Sequence, residues 1–438
     1  MSAPIAIFTV GTQGDIRPCV ALGQGLQRAG HAVRIVTSDN FAPLVRGRGL
    51  EFFPLTSDFQ QLLDADRSIA DKGLDLRKMA RIFRDCYAGW ARDWAEQGQA
   101  AAEGAGLLVG VGNSTLLAKS LAEARGLPFV SAQLQPALMP SRRLPPMVLA
   151  GAGRRPPPAV NLGLYHLLRL LVWRVMKPAV NEIVRPRLGL PPYPWYGPYF
   201  RRDGNDLNRV LYGFSRHVLP RPADWPQSAR IAGYWFLQEP QWQPSAALRD
   251  FLDAGPKPVY VGFGSMVSSD ASAFTETVLE GVRRSGRRAV LATGWGGLEG
   301  EEGARDARTF FLRSAPHDQL FPHMAAAVHH GGAGTSAAAV RAGIPSVIVP
   351  FYGDQPFWAR CLHEQGVAPP ALQRRSLRPD GLSDAIGAAT RPAMQDAAQL
   401  LGRRVRAEDG VGEAIEILRD WGLPRTERPP QQARRDAA

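Results

Sequence analysis

The chain has 438 residues, 45% of them apolar, which suits two cores of roughly 200 residues each rather than one. Its formal net charge is +12, but only five of the 52 basic residues are lysines and the arginines are scattered along the chain, a compositional bias rather than a nucleic-acid-binding patch. Cys19, Cys86 and Cys361 are odd in number and far apart, which indicates neither a disulfide framework nor a zinc site and fits a reducing cytoplasm, and no window approaches the roughly 20 uninterrupted apolar residues that span a bilayer.

The N-terminus runs directly into a strand, Ile5 to Val10, without the basic and apolar regions of a signal peptide. The loop Gly11-Thr12-Gln13-Gly14-Asp15-Ile16-Arg17-Pro18 follows, with Pro18 expected in the first turn of a helix reaching about Ala29. Ala32 to Thr37 reads as the second strand, so the chain opens as a βαβ unit. As a dinucleotide site the loop supplies two of the three fingerprint glycines, with Asp39 placed for a ribose. Asp15 alternatively reads as a helix cap or as a carboxylate facing a cleft.

Glu51 to Asp71 is expected to be an excursion rather than a strand, and Asp75 to Gln99 a helix with Ile82, Phe83, Tyr87, Trp90 and Trp94 on its apolar side. Asp64-Ala65-Asp66 matches a D-x-D metal pattern but follows no strand, so no metal is inferred from it. Leu107 to Gly112 and Phe129 to Gln133 are parallel-strand candidates with a helix, Leu116 to Arg125, between them. Asn161 to Lys177 reads as a helix capped by Asn161. Leu164, Leu167, Leu168, Leu171, Val172, Val175 and Met176 fall on one arc, and His166, Arg169, Arg174 and Lys177 on the other. Such an element packs on its domain, lines an apolar pocket or lies at a membrane surface.

Val210 to Phe214 is expected as the last strand of the first half, and the proline-rich stretch around 220 to 245 as a linker. A second series follows: strand Pro258 to Gly264, helix Ala271 to Arg284, and strands Arg288 to Thr293 and Thr309 to Arg313. Then come an apolar strand from Met324 to Val328, the run His329-His330-Gly331-Gly332-Ala333-Gly334-Thr335, a helix from Ala333 to Ala342, a stop at Gly343 and Pro345, and a strand from Ser346 to Pro350. A glycine loop opening a helix aims unpaired N–H groups and the positive dipole end at an anion, and a diphosphate suits it. Such loops recur throughout α/β proteins, so the loop alone does not select a function. Phe351-Tyr352-Gly353-Asp354-Gln355 ends the second strand where open sheets bind ligands, with an acid and an amide suited to vicinal hydroxyls.

The run from Val328 to Gln355, continued through P-F-W, resembles the donor-binding motif of the nucleotide-sugar-dependent glycosyltransferases of GT-B fold. It is most similar to the sterol 3-β-glucosyltransferases and bacterial natural-product glycosyltransferases. The resemblance implies an α/β fold of two facing Rossmann-like parallel-sheet domains with the active site between them. It implies an N-terminal acceptor domain over 1–220, a linker over 221–250, a donor domain over 251–410, a helix at 411–423 crossing back, and a disordered tail at 424–438. Asp15 occupies the catalytic position of the family's G-T-x-G-D motif. Ser265, Pro316, His317, His329, Gly331, Gly334, Thr335, Asp354 and Gln355 match donor-binding positions. Ser265 also reads as a turn or cap residue, His317 as a surface histidine and His330 as a core or tautomer partner. Trp195, Tyr196 and Tyr199 are candidate acceptor contacts. Many relatives carry a ribose-gripping glutamate two residues after the threonine; here that position is Ala337.

The implied reaction is an inverting transfer of glucose from UDP-glucose to a hydroxyl of a lipophilic acceptor such as a sterol. It requires no metal or cofactor beyond the nucleotide sugar. The alternative within the family is a dTDP- or UDP-sugar transferred to a flavonoid, macrolide or glycolipid-type acceptor. No nucleic-acid partner is expected; a cytoplasmic monomer or weak dimer with peripheral contact at the inner face of the membrane is. A nicotinamide-dependent oxidoreductase built on Asp39 and a non-catalytic nucleotide-sugar-binding protein are readings of other classes.

Overall fold

The computed structural model describes residues 3–57, 76–149, 156–200, 209–264, 271–294 and 298–422. The first half contains β1 (Ile5–Val10), α1 (Gln13–Arg28), β2 (Val33–Thr37), α2 (Ala42–Arg46), β3 (Glu51–Pro54), α3 (Leu76–Ala101), β4 (Leu107–Gly112), α4 (Thr115–Arg125), β5 (Phe129–Gln133), α5 (Pro158–Lys177), β6 (Val210–Tyr212) and β7 (Ala229–Ile231). Its seven strands pair in parallel in the order β3-β2-β1-β4-β5-β6-β7. β1 reads I-A-I-F-T-V with every residue buried, the composition a strand needs when helices cover both faces. The chain leaves β1 toward β2 on one side and returns to β4 on the other, and this change of direction opens a crevice at the carboxyl ends of β1 and β4.

The second half contains α6 (Ala246–Asp253), β8 (Val259–Gly262), α7 (Ala271–Arg284), β9 (Ala289–Ala292), β10 (Gly303–Ala304), β11 (Thr309–Leu312), α8 (His317–Leu320), β12 (Ala326–His329), α9 (Ala333–Ala342), β13 (Ser346–Ile348), α10 (Gln355–Glu364), α11 (Pro379–Ala389), α12 (Pro392–Arg406) and α13 (Gly410–Asp420). Its sheet runs β10-β11-β9-β8-β12-β13, parallel except for the β10–β11 pair, with its own switch point between β8 and β12. These are the two Rossmann-like sheets of the GT-B architecture. They share a core in which Phe214 and Trp358 meet at 5.8 Å, beside Tyr212, Trp225 and Leu362.

The last helix packs on the first half. Ala414, Ile415, Ile417 and Leu418 of α13 join the core of the first sheet beside Ile16, Val20 and Leu26. The linker is held from both sides: Glu239 accepts from Arg48 at 2.7 Å and pairs with Arg17, while the Gln319 side chain accepts from Trp242 N–H and donates to Pro240 O.

The structure departs from the sequence reading at several places. Residues 51–54 form a strand, β3, a short edge strand with exposed ends, so its apolar signal rests on Phe52 and Phe53 alone. Pro18 lies inside α1 rather than in its first turn, because the helix begins earlier at the Thr12 N-cap. Asn161 does not cap α5. Pro158 starts that helix, and Asn161 is buried with its amide donating to Ser141 O and Leu144 O. β7 lies within the span assigned to the linker, so the connection begins only after Ile231.

Candidate active site

Asp15 is the third residue of α1, where a carboxylate suits the helix dipole. Its Oδ2 accepts from the Thr12 N–H at 2.8 Å and the Thr12 hydroxyl at 3.2 Å, the arrangement by which an N3 acid reaches back to an N-cap. The capping role is therefore present in full. The carboxylate folds over Gly11, directly after β1: a Cβ at Gly11 would lie 2.2 Å from Oδ2, so a residue without a side chain is required there. Oδ1 accepts nothing from the described residues. Burial raises the carboxyl above its ordinary range, against the two Thr12 hydrogen bonds that favour the charged form.

Asp15 also lines a cavity of about 340 Å³ at the carboxyl ends of β4, β5 and β6. Leu134, Leu138, Met139, Val172 and Met176 give it apolar walls, and Asn113, Gln133, Arg169 and Tyr212 give it polar points. Tyr199 lines it. Trp195 is 76% exposed and edge-on to the exposed Tyr196, so neither is brought to the cavity; what reaches inward from that loop is the Trp195 carbonyl, which accepts from Trp173 Nε1. Arg169 is a correction too: it is buried against the pocket, donating to Leu138 O and Tyr199 O. Asn113, Gln133 and Tyr212 were missed by the sequence reading, although each stands at the end of a parallel strand, where the switch-point rule directs attention. Another cavity, of about 390 Å³ between Leu144, Leu219 and α10, contains none of the candidate residues.

The glycine loop belongs to the second sheet, between β12 and α9. Gly331 has φ +88°, and a Cβ there would lie 2.5 Å from Ile348, so glycine is required on both counts. Its N–H donates to Nδ1 of His329 at 3.0 Å. Gly332 caps α9 at its N-terminus, Gly334 has open space where a Cβ would stand, and Thr335 lies half-buried in the first turn. His329 is fully buried, and its Nε2 finds no acceptor among the described residues. Burial, first, and then the neighbouring His330 and His317 push its pKa well down, so the ring is neutral. His330 is pushed down to about 4 by burial and by His317.

Pro316 caps α8 and His317 opens it. His317 stacks on Phe321 at 4.5 Å, shares a 3.1 Å hydrogen bond with Tyr260 Oη, and is lowered to about 4 by burial and then by Arg17 of the facing domain. The ring is held in place by these contacts rather than free at the surface. Ser265 lies outside the described residues, as do Asp64 and Asp66.

Asp354 caps α10, its Oδ2 accepting from Trp358 Nε1 at 2.8 Å. Burial raises its pKa to about 6. The Trp358 indole lowers it, the charge of Asp15 raises it, and the backbone N–H of Ala333 at the start of α9 lowers it. The acid after the second sheet thus feels both the acid of the first domain and the glycine-loop helix. Gln355 is buried, with its carbonyl accepting from Phe351 N–H at 2.6 Å and Tyr352 N–H at 3.0 Å. The accepting half of its side chain therefore holds the turn together. Ala337 packs into the shared core, so the ribose-gripping carboxylate of many relatives has no counterpart at that position.

Comparisons with known proteins agree with this architecture. Residues 5–97 match the glycosyltransferase family 28 N-terminal domain, and residues 311–418 match the C-terminal domain of erythromycin biosynthesis protein CIII-like proteins. The chain is 35% identical over 440 residues to a sterol 3-beta-glucosyltransferase of Neosartorya fischeri, covering 97% of this chain but 30% of that protein. It is 31% identical over 424 residues to one of Arabidopsis thaliana, covering 94% of this chain and 67% of that protein. Among solved structures, the glycosyltransferase of kitacinnamycin superposes with a TM-score of 0.65 at 20% identity over 97% of this chain and 100% of that one. Glycosyltransferase VinC in complex with dTDP superposes with 0.59 at 19% identity over 95% and 100%. At these identities the two structures speak for the fold.

Proposed function

The chain belongs to the GT-B glycosyltransferases, in the family of the sterol 3-beta-glucosyltransferases, and on that premise we propose that it transfers glucose from UDP-glucose to a hydroxyl of a lipophilic polycyclic acceptor, inverting the anomeric centre. The observation that carries this reading is Asp15: a carboxylate with raised pKa and one uncommitted oxygen, in the wall of an apolar cavity and within electrostatic reach of Asp354 on the facing domain. The acceptor occupies the cavity at β4 to β6 and points its hydroxyl at Asp15.

Asp15 Oδ1 takes the proton as the hydroxyl oxygen attacks the anomeric carbon from the face opposite the leaving group. The bond to the diphosphate oxygen breaks through an oxocarbenium-like state, and the β-glycoside forms. The departing diphosphate gathers negative charge beside the first turn of α9, where the loop N–H groups, the helix dipole and the neutral His329 Nε2–H meet it. These donors take the charge-stabilising role that a metal has in other transferases. Pro316 and His317 border the base, Thr335 the phosphates, and Asp354 with the amide of Gln355 the sugar hydroxyls; Ser265 is assigned to the phosphates on the family motif alone. The linker held by Glu239 keeps the two domains facing, so that closure excludes water. Peripheral contact with a membrane fits the apolar cavity, and no helix among the described residues is long and apolar enough to cross one.

A mass-spectrometric assay with UDP-glucose and dTDP-glucose separately, against sterols, flavonoids and macrolides, tests this. A sterol gaining one hexose from UDP-glucose is the expected result. Transfer from dTDP-glucose alone, or to a macrolide or flavonoid alone, would move the assignment to the natural-product branch. Absence of any product with nucleotide binding intact would favour a non-catalytic nucleotide-sugar-binding protein.

A further inference from the structure

Gln133 is the last residue of β5 and lines the acceptor cavity. Its amide orientation is fixed by its neighbours. The Thr115 hydroxyl has a single proton, which it gives to Gly112 O at 2.7 Å, so toward Gln133 its oxygen can only accept. Gln133 must therefore turn its nitrogen that way, and Nε2 donates to Thr115 Oγ1 at 3.1 Å and Ser131 Oγ at 3.0 Å. Both N–H bonds are used. The carbonyl Oε1 is left as the presented group, and it takes no hydrogen bond from the described residues.

Sheet register gives its place relative to the base. Val10 pairs with Gly112, Val111 with Ala132, and Gln133 with Tyr212. Val10, Gly112, Gln133 and Tyr212 thus stand in one row at the carboxyl ends of the strands. The Asp15 carboxylate lies over Gly11, at the start of that row. Gln133 is two strands away, about 10 Å at the usual strand spacing. The strand between ends in Gly112, where a Cβ would meet nothing within 4 Å. Asp15, Gly112 and Gln133 all line the one cavity.

Resting on the transferase reading, we propose that Gln133 is a specificity-determining residue that selects acceptors carrying a second hydroxyl about 10 Å from the one that reacts. The acceptor class is then a rigid, apolar polycycle hydroxylated at both ends: one hydroxyl gives its proton to Asp15 and the other donates to Gln133 Oε1. An acceptor without the distal donor leaves a pocket oxygen facing apolar surface, which a site built for a hydroxyl penalises.

The test compares an androstane diol hydroxylated at both ends with the matching mono-ol, in the wild type and in Gln133→Met, which keeps side-chain length without the carbonyl. The wild type is expected to favour the diol by about five- to tenfold in kcat/KM, expressed in KM, as one neutral hydrogen bond supplies. In Gln133→Met the ratio of kcat/KM for diol over mono-ol should collapse toward unity, whereas a general loss of packing would lower both values and leave their ratio in place. Equal preference in both proteins, or none in the wild type, overturns the assignment. The same comparison is made by tryptophan-fluorescence binding in the presence of UDP. Discrimination in binding without any turnover would sustain the role of Gln133 and count against the transferase reading; binding without discrimination overturns the role of Gln133.

Discussion

The N–H of Gly331 donates to Nδ1 of His329 at 3.0 Å, and that one bond fixes which histidine nitrogen carries the proton. Nδ1 accepts, so Nε2 holds the hydrogen, and it finds no acceptor among the described residues. A fully buried donor without a partner is costly. A diphosphate at the glycine loop would give it one. His329→Ala is expected to weaken UDP binding about 10- to 100-fold, the range for a hydrogen bond to a charged group. Isothermal titration with UDP reads this directly, and thermal melting separates it from misfolding. Unchanged affinity in a folded variant would remove His329 from the donor site.

Asp15 is both a helix cap and the proposed base, and a single substitution separates the roles. Asn at position 15 can still accept from the Thr12 N–H, so α1 should keep its start and UDP its affinity. Turnover should fall by about 10²- to 10⁴-fold, the usual worth of a general base. In the wild type, activity should decline as pH falls through the raised pKa of this carboxyl, since the base must be ionised. Near wild-type transfer by Asp15→Asn would end the assignment.

Asp354 carries a stability cost of known sign. Its pKa rises from 3.8 to about 6 on folding, so between those values the folded state binds the proton that the unfolded chain has released. The contribution of this group therefore falls as pH rises through that window and stays unfavourable above it. Asp354→Asn, which keeps an acceptor for Trp358 Nε1, should raise stability at neutral pH by about 1–2 kcal/mol after allowance for relaxation around the carboxylate. It should lower transferase activity at the same time, the trade expected of a charge held in place for function. Melting temperatures across the pH range would show a shallower slope between about pH 4 and 6 in the variant. A melting temperature below wild type at neutral pH would mean the carboxylate is stabilising.

Most of the fold was legible because parallel strands buried on both faces read as unbroken apolar runs. Ile5 to Val10, Leu107 to Gly112 and Phe129 to Gln133 are bounded in the structure as in the sequence. α9 likewise spans Ala333–Ala342, with Gly343 at φ +76° ending it. β3 and β7 were not legible, since Glu51 and Pro54 leave β3 only two apolar ring residues and Arg230 interrupts β7, so neither gives an unbroken apolar run. In the site, glycines and histidines in tight spacing pointed to the donor loop. The acceptor wall did not announce itself: Gln133, Arg169 and Tyr212 are separated in sequence and meet only through sheet order. Gln355 read as a ligand residue because an amide both donates and accepts, and only the structure reveals that its carbonyl is spent on the turn at Phe351 and Tyr352.

The acceptor-side helix α5 departs from the simple amphipathic expectation at Arg169 and at two of its leucines. Arg169 points inward, while Leu167 and Leu171 are 51% and 53% exposed, on a stripe that continues to the exposed Arg174 and Lys177. Val148, also exposed, stands at the rim of the acceptor cavity, which α5 lines with Leu168, Val172 and Met176. Exposed leucines beside cations match the interface of an anionic bilayer, and a lipophilic acceptor leaving that bilayer would enter the cavity at Val148. Leu167→Asp combined with Leu171→Asp should reduce partitioning onto phosphatidylserine-containing vesicles by more than about tenfold, since each leucine forfeits part of a transfer energy of about 1.5–3 kcal/mol. Arg174→Glu with Lys177→Glu should weaken binding only to anionic vesicles, and only at low salt, because exposed charges are screened within about 10 Å at moderate ionic strength. Activity on a detergent-solubilised acceptor should survive the leucine changes, while activity on a vesicle-borne acceptor falls. Equal loss in both formats would place the leucines in the fold of the pocket rather than at a membrane.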